Sequence, residues 1–247
     1  MKKQNFIYGP HAVEALLSKH PERVSEIFVQ QEREDEKTNK ILTLAEKNKI
    51  PVHILSTSSL QNLVGEGKHQ GIVAKARMVQ TYTEDFLLEL LDSLTEPVFL
   101  LILDRVQDPH NLGACFRTAD AAGVHAIIVP KDQAVGLTPV VCKVASGATE
   151  TVPFIQVTNL VQTMKKLQER GVWLAGAAEE AETNLYDANL SGPIAVVMGA
   201  EGKGLRRLTK EYCDYLLHIP MAGSVSSLNV SVATGVFLFE VVRQRKK

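Results

Sequence analysis

The chain has little of what marks metal centres, disulfide scaffolds or membrane proteins. Its 247 residues include three cysteines, Cys115, Cys142 and Cys213, far apart, with no CxxC and no paired-histidine spacing. No metal is therefore expected, and free thiols in a chain of this size suit a reducing cytosol. No stretch reaches the about 18 consecutive apolar residues that cross a bilayer, and "MKKQNFIYGPH" is too polar for a signal peptide. No membrane association and a cytoplasmic location are the expectations. Repeats and low-complexity segments are absent. Net charge is close to absent as well, at −1, so no global basicity announces a nucleic-acid partner.

What is present is a large apolar fraction, 45%, enough to bury a real core in one or two domains. The charge is unevenly spread. Residues 1–78 carry 12 Lys+Arg against 9 Asp+Glu, whereas the remainder carries 15 against 19. A basic bias at one end points weakly to RNA or DNA. The fold class expected is α/β in two parts. Residues 1–78 read as a small unit alternating helix and strand: helix from Pro10, strand 24–30, charged helix 33–49, strand 50–56, Ser/Thr-capped helix 56–64 and closing strand 69–79. Residues 79–96 hold five acids and no Lys or Arg. A linker there leads into an amphipathic helix, with Phe86, Leu87, Leu90, Leu91 and Leu94 as its apolar stripe. From 97 to 247 the pattern becomes a mainly parallel sheet, opened by "PVFLLILD", a continuous apolar strand of the kind buried on both faces.

Three loops in that second part carry candidate chemistry. "VVMGAEGKGL" follows a buried strand, where open α/β sheets bind ligands. Its glycines, Gly199, Gly202 and Gly204, stand at offsets 0, 3 and 5, which fits neither a dinucleotide fingerprint nor a P-loop and disfavours a dehydrogenase. Glu201 between them is not required by a turn. "DRVQDPHNLGACFRTADAAGV" follows the opening strand and offers Asn111 and Arg117. Asp108, Pro109 and Gly123 predict a helix between them. Six residues along it rotate by roughly 240°, so the two side chains occupy different faces; alone, each reads equally well as helix-start bonding or a surface pair with Asp120. His110 beside them is given no role. The last loop, "IPMAGSVSSLNVSVATGVFLFE", runs into an apolar helix with Ser227 as its expected cap. That helix reads as buried on most sides, with Leu228, Val232, Val236 and Phe239 in one row, and Asn229 then needs a partner.

Together "DPHNLGACFRTADAAG", "VMGAEGKGL" and "IPMAGSVSSLNVSVATG" resemble, in order, the three motifs of the SpoU/TrmH family of RNA 2′-O-methyltransferases within the SPOUT superfamily. Residues 1–78 resemble the L30e-like RNA-binding domain of the branch that modifies guanosine in 23S rRNA. The resemblance implies a C-terminal trefoil knot, a homodimer, and S-adenosylmethionine bound near Gly199, Gly202, Ile219, Met221 and Leu228. It implies Arg117 as catalytic residue, with Asn111, Glu201, Ser227 and Asn229 orienting it, the ribose and the cofactor. The expected reaction is methyl transfer to the 2′-OH of a guanosine of 23S rRNA, in the peptidyl-transferase region and in ribosome biogenesis. The alternatives are a tRNA 2′-O-methyltransferase and a catalytically silent RNA-binding homologue.

Overall fold

The structure, a computed structural model, describes residues 4–246. Residues 1–3 and 247, the ends of the expected 1–78 and 97–247 domains, lie outside the described residues. The chain divides into two compact units. One takes in the residues up to Gln80 together with Leu137–Thr151, and the other is Thr81–Gly136 with Val152–Lys247.

The first unit contains β1 (Gln4–Tyr8), α1 (Pro10–Lys19), β2 (Val24–Gln30), α2 (Glu36–Lys47), β3 (Val52–Leu55), α3 (Thr57–Val64) and β4 (Ile72–Arg77). The sheet order is β1-β4-β2-β3, antiparallel except for the β2–β3 pair. Asp35 caps α2 and Ser56 caps α3, each accepting a backbone N–H three residues on. Ile7, Val13, Leu16, Leu17, Ile27, Ile41 and Ile72 form the core. Strand β1 has no counterpart in the sequence reading, because five residues before a helix-opening proline give too short a period to recognise.

Residues 137–151 pack with this first unit. Thr138 caps the short helix α6 (Pro139–Val144), and Cys142 lies in the core with Ile7 and Leu16. Gly147 has φ +100° and sits so close to Ala15 that a side chain would overlap the Ala15 Cβ. The Arg23 guanidinium pairs with the Glu150 carboxylate, whose side chain is 3% exposed. Arg23 also donates from Nε and Nη2 to the Arg77 carbonyl at 3.1 and 2.9 Å.

The second unit runs β5 (Thr81–Tyr82), α4 (Glu84–Ser93), β6 (Phe99–Leu103), α5 (Pro109–Ala122), β7 (Ala126–Pro130), β8 (Phe154–Val157), α7 (Leu160–Glu169), β9 (Trp173–Ala177), β10 (Thr183–Asn184), β11 (Ile194–Met198), α8 (Arg207–Glu211), β12 (Tyr215–His218) and α9 (Val230–Arg245). Among the described residues these strands form one parallel sheet, ordered β10-β12-β9-β11-β6-β7-β8-β5. Every residue of β6, β7 and β11 is buried, as their unbroken apolar sequences require. Leu87 and Leu91 of α4 join the core beneath the sheet, with Phe86, Leu90 and Leu94 packed against it. The expected stripe of the lead-in helix is thus satisfied within its own unit. Helix α9 departs from expectation. Phe237, Leu238 and Val241 are buried, but Val232 and Phe239 are 53% and 49% exposed.

Burial is the main influence holding the Glu150 carboxyl above the usual carboxylate range, opposed by Arg23. A group with a raised folded-state pKa favours folding below its unfolded value and loses that contribution as pH rises through the folded value. Removing Arg23 then leaves a buried, unpaired charge at neutral pH, a loss of about 3–5 kcal/mol. Arg23→Ala should therefore lower the melting temperature strongly at neutral pH and less as acid protonates Glu150. Thermal unfolding across pH, with Arg23→Ala/Glu150→Gln restoring part of the loss, checks this.

Candidate functional site

The carboxyl ends of β9, β11 and β12 open onto a cavity of about 870 Å³, within the roughly 300–1,000 Å³ usual for small-molecule sites. Its walls come from the loop after β9 (Ala178–Glu180), the glycine loop after β11, the loop after β12 (Ile219–Met221) and the approach to α9 (Ser226–Val230).

The glycine loop is closed by backbone bonds. Ala200 N–H donates to Gly204 O at 3.2 Å and Gly204 N–H to Ala200 O at 3.0 Å. Gly202 and Gly204 turn it at φ +67° and +62°, conformations that favour glycine. At Gly199 the reason is space, since a Cβ there would overlap the Gly204 carbonyl. Beneath the loop lies a residue that the sequence reading passed over. Asp104, 1% exposed at the end of β6, accepts from Arg206 N–H at 3.2 Å and Thr209 Oγ1 at 2.7 Å, and lies 2.7 Å from Arg206 Nη2. It ties α8 to the sheet just past the loop. The signal was there: a charge ending an otherwise apolar strand must be met by donors.

A hydrogen-bonded chain joins the three motifs. Asn111, 9% exposed in the first turn of α5, donates from Nδ2 to Glu201 Oε1 at 2.6 Å. Its Oδ1 accepts from Asn229 Nδ2 at 3.0 Å. Asn229 Oδ1 in turn accepts from Ser231 N–H at 2.9 Å and Ser231 Oγ at 2.6 Å. The cap of α9 is therefore Asn229, not Ser227 as expected; the helix begins two residues later because Asn229 satisfies the first-turn amide itself. Ser227 is exposed and lines the cavity.

The expected site residues thus divide. Gly199, Gly202, Ile219, Met221 and Leu228 all line the cavity, as do Glu201, Ser227 and Asn229. Asn111 reaches it through Glu201 and Asn229. Arg117 does not line it; it stands exposed on α5, away from the buried face that holds Asn111. Lys210 and Glu180 pair at the rim, and the hydrogen bond from Lys210 holds the Glu180 carboxyl below its usual range. Burial pushes the thiols of Cys115 and Cys213 up to about 12, so neither supplies a thiolate nucleophile near neutral pH. Among the described residues no group of histidine, cysteine and acidic side chains is placed to hold a metal ion, and no helix is long and apolar enough to cross a membrane.

A parallel sheet with a small-molecule cavity at its strand ends, walled by close-approach glycines and a polar relay, defines an α/β domain built to hold a nucleotide-sized ligand. Residues 98–239 match the SpoU rRNA methylase family model and residues 6–82 the RNA 2′-O ribose methyltransferase substrate-binding model. The chain belongs to the SpoU rRNA methylase family. It is 58% identical over 246 residues to the 23S rRNA (guanosine-2′-O-)-methyltransferase RlmB of Shewanella oneidensis, covering 100% of both chains. Among solved structures it resembles the SpoU methyltransferase AviRb from Streptomyces viridochromogenes in complex with the cofactor AdoMet, with TM-score 0.80, 24% identity, and 98% and 91% of the two chains covered. The TrmH/SpoU tRNA modifying enzyme of A. aeolicus is 30% identical with TM-score 0.56, but covers 66% of this chain and 82% of its own.

The corrected cap separates two serine-rich positions that look alike in sequence. Asn229→Ala should cost about 1 kcal/mol for the cap and a further about 1–3 kcal/mol for stranding the Asn111 carbonyl. Ser227→Ala should stay within about 0.5 kcal/mol. Hydrogen exchange at the Ser231 and Val232 amides, alongside urea unfolding, measures both.

Proposed function

We propose that this protein transfers a methyl group from S-adenosylmethionine to the ribose 2′-OH of a guanosine in 23S rRNA, acting in the cytoplasm during ribosome assembly. The observation that carries the reading is the relay Ser231–Asn229–Asn111–Glu201, which joins all three family motifs at the rim of one cavity. A likeness running the full length of a relative named for that reaction supports the choice of rRNA. So does the short coverage of the tRNA-modifying relative, which leaves a third of this chain unmatched.

The cavity suits the cofactor. Gly199 and Gly202 line it without side chains of their own, and Ile219, Met221 and Leu228 offer apolar surface for a purine. S-adenosylmethionine, when bound, supplies an already activated methyl group. The protein's task is then alignment and help for the hydroxyl as it loses its proton. Glu201, held by Asn111, and Ser227 at the cavity wall orient the ribose. Arg117 is the catalytic residue of this reading. Guanidinium keeps its proton and is a poor base, so it grips the neighbouring phosphate and stabilises the developing alkoxide. We further propose the family's trefoil knot for the segment around the cavity.

Arg117 stands outside the cavity of its own chain, exposed on α5, the helix that packs against α9. There Thr118 packs near Gly235, and the exposed Val232 and Phe239 form an apolar face. A homodimer formed through that face covers the apolar surface. Light scattering at micromolar concentration should give twice the 27.1 kDa chain mass, and Phe239→Lys should shift it toward one.

The reaction is tested at Arg117. Losing one charge-stabilising donor costs about 10²–10³ in rate. Arg117→Ala should lose that much single-turnover methyl transfer to 23S rRNA fragments while keeping its melting temperature and S-adenosylmethionine affinity. Arg117→Lys should recover little, because an ammonium lacks the planar fork. Near wild-type rates in both variants overturn the assignment; absence of transfer by the intact protein overturns the activity.

A further inference from the structure

The glycine loop is only as fixed as its two ends. Residues 198–205 all line the cavity, yet residues 201–204 are exposed. The paired bonds between Ala200 and Gly204 close the loop on itself without attaching it to the sheet. A loop closed in this way can still swing as one piece about its ends. Those ends lie against each other, since a Cβ on Gly199 would stand 2.1 Å from the Gly204 carbonyl carbon. Whatever grips both ends therefore sets where this wall of the cavity stands.

One residue reaches both. Before the loop, Asp104 N–H donates to Met198 O at 2.7 Å. After it, the Asp104 carboxylate accepts Arg206 N–H at 3.2 Å on Oδ2, while Oδ1 lies 2.7 Å from Arg206 Nη2. Arg206 Nε is buried and makes no hydrogen bond, so among the described residues the hold on Arg206 runs through Nη2 and the backbone amide, both on Asp104. The third donor, Thr209 Oγ1 at 2.7 Å, comes from α8, beyond the loop. Every group facing the carboxylate is a donor, and a carboxylate accepts on both oxygens; an amide in its place would turn an NH₂ toward one of them. Glu201, at the loop's tip, is held separately by Asn111.

We propose that Asp104 is a positioning residue for the cofactor, clamping both ends of the glycine loop so that this wall of the cavity is already in place before S-adenosylmethionine binds. The role rests on the reading of the cavity as the cofactor site and assigns to a buried residue outside it a share of the affinity. A loop fixed beforehand loses little conformational freedom on binding. The benefit is the same before and during the reaction, so it acts on cofactor affinity and KM and leaves kcat alone. The independent hold on Glu201 keeps the two effects apart.

The test uses the full chain and three variants: Asp104→Asn, Arg206→Met, which keeps the backbone donor but removes Nη2, and Thr209→Val, which loosens α8 without touching either end of the loop. Calorimetry with S-adenosylmethionine and hydrogen exchange are read beside steady-state methyl transfer to a 23S rRNA fragment. Asp104→Asn should raise the cofactor Kd and KM on the order of tenfold, the scale of one hydrogen bond to a charged group, with kcat at saturation unchanged. Exchange should quicken at the Ala200, Gly204 and Arg206 amides while the β7 amides keep their protection. Arg206→Met should shift Kd the same way by less, and it decides the matter if Asp104→Asn does not fold. Thr209→Val should lower the melting temperature and leave Kd as in wild type. Wild-type affinity in Asp104→Asn and Arg206→Met, a fall in kcat with Kd unchanged, or an equal loss of affinity in Thr209→Val overturns the positioning role while leaving the activity standing. A wild-type protein that binds no S-adenosylmethionine overturns the cofactor reading and this role with it.

Discussion

The side chain of Asn111 is the point on which the site depends. One planar amide donates to Glu201 and accepts from Asn229, using both ends of a group that cannot rotate freely once buried. It connects the first turn of α5 to the glycine loop after β11 and to the start of α9, 90 and 118 residues further along the chain. A buried amide satisfied on one side only would cost more than the hydrogen bond it keeps, so the three segments hold their places together or not at all. Asp104 does the corresponding task one layer below, where its carboxylate collects the start of α8. The glycine loop is thus fixed from two directions, although its own residues are mostly exposed.

That arrangement divides the labour in a way consistent with group transfer. The cavity walls set backbone and apolar side chains such as Ile219, Met221 and Leu228 beside the polar Glu201, Ser227 and Asn229. Charged groups stand at the rim, as Lys210 and Glu180 do, or on the outer face of α5, as Arg117 does. The buried cysteines add packing and nothing reactive, because desolvation keeps Cys115 and Cys142 protonated.

Much of this was legible in the sequence, and the failures have physical causes. Strands β6, β7 and β11 announce themselves because burial on both faces demands unbroken apolar runs. Helix α5 does so through Asp108, Pro109 and Gly123, each doing the one thing its chemistry favours. The start of α9 was misread because Ser226, Ser227 and Asn229 can all cap a helix. Only the Ser231 amide decides between them, and its position is a tertiary fact. Strands β1 and β8 are short and flanked by breakers, so no period develops. The exposed row Val232 and Phe239 reads in sequence as core, since hydrophobicity alone does not tell a buried face from one awaiting a partner. Asp104 was overlooked for the opposite reason: a single charge carries no period at all.

The return of residues 137–151 to the first unit has a consequence for how the protein is made. The core around Ile7, Leu16 and Cys142 lacks one of its walls until the ribosome has already released β6, α5 and β7 of the other unit. The N-terminal unit begins first and finishes late, interleaved with the synthesis of the sheet that follows it. A fusion or exchange that treats residues 1–80 as a portable module would transplant a core with an open side.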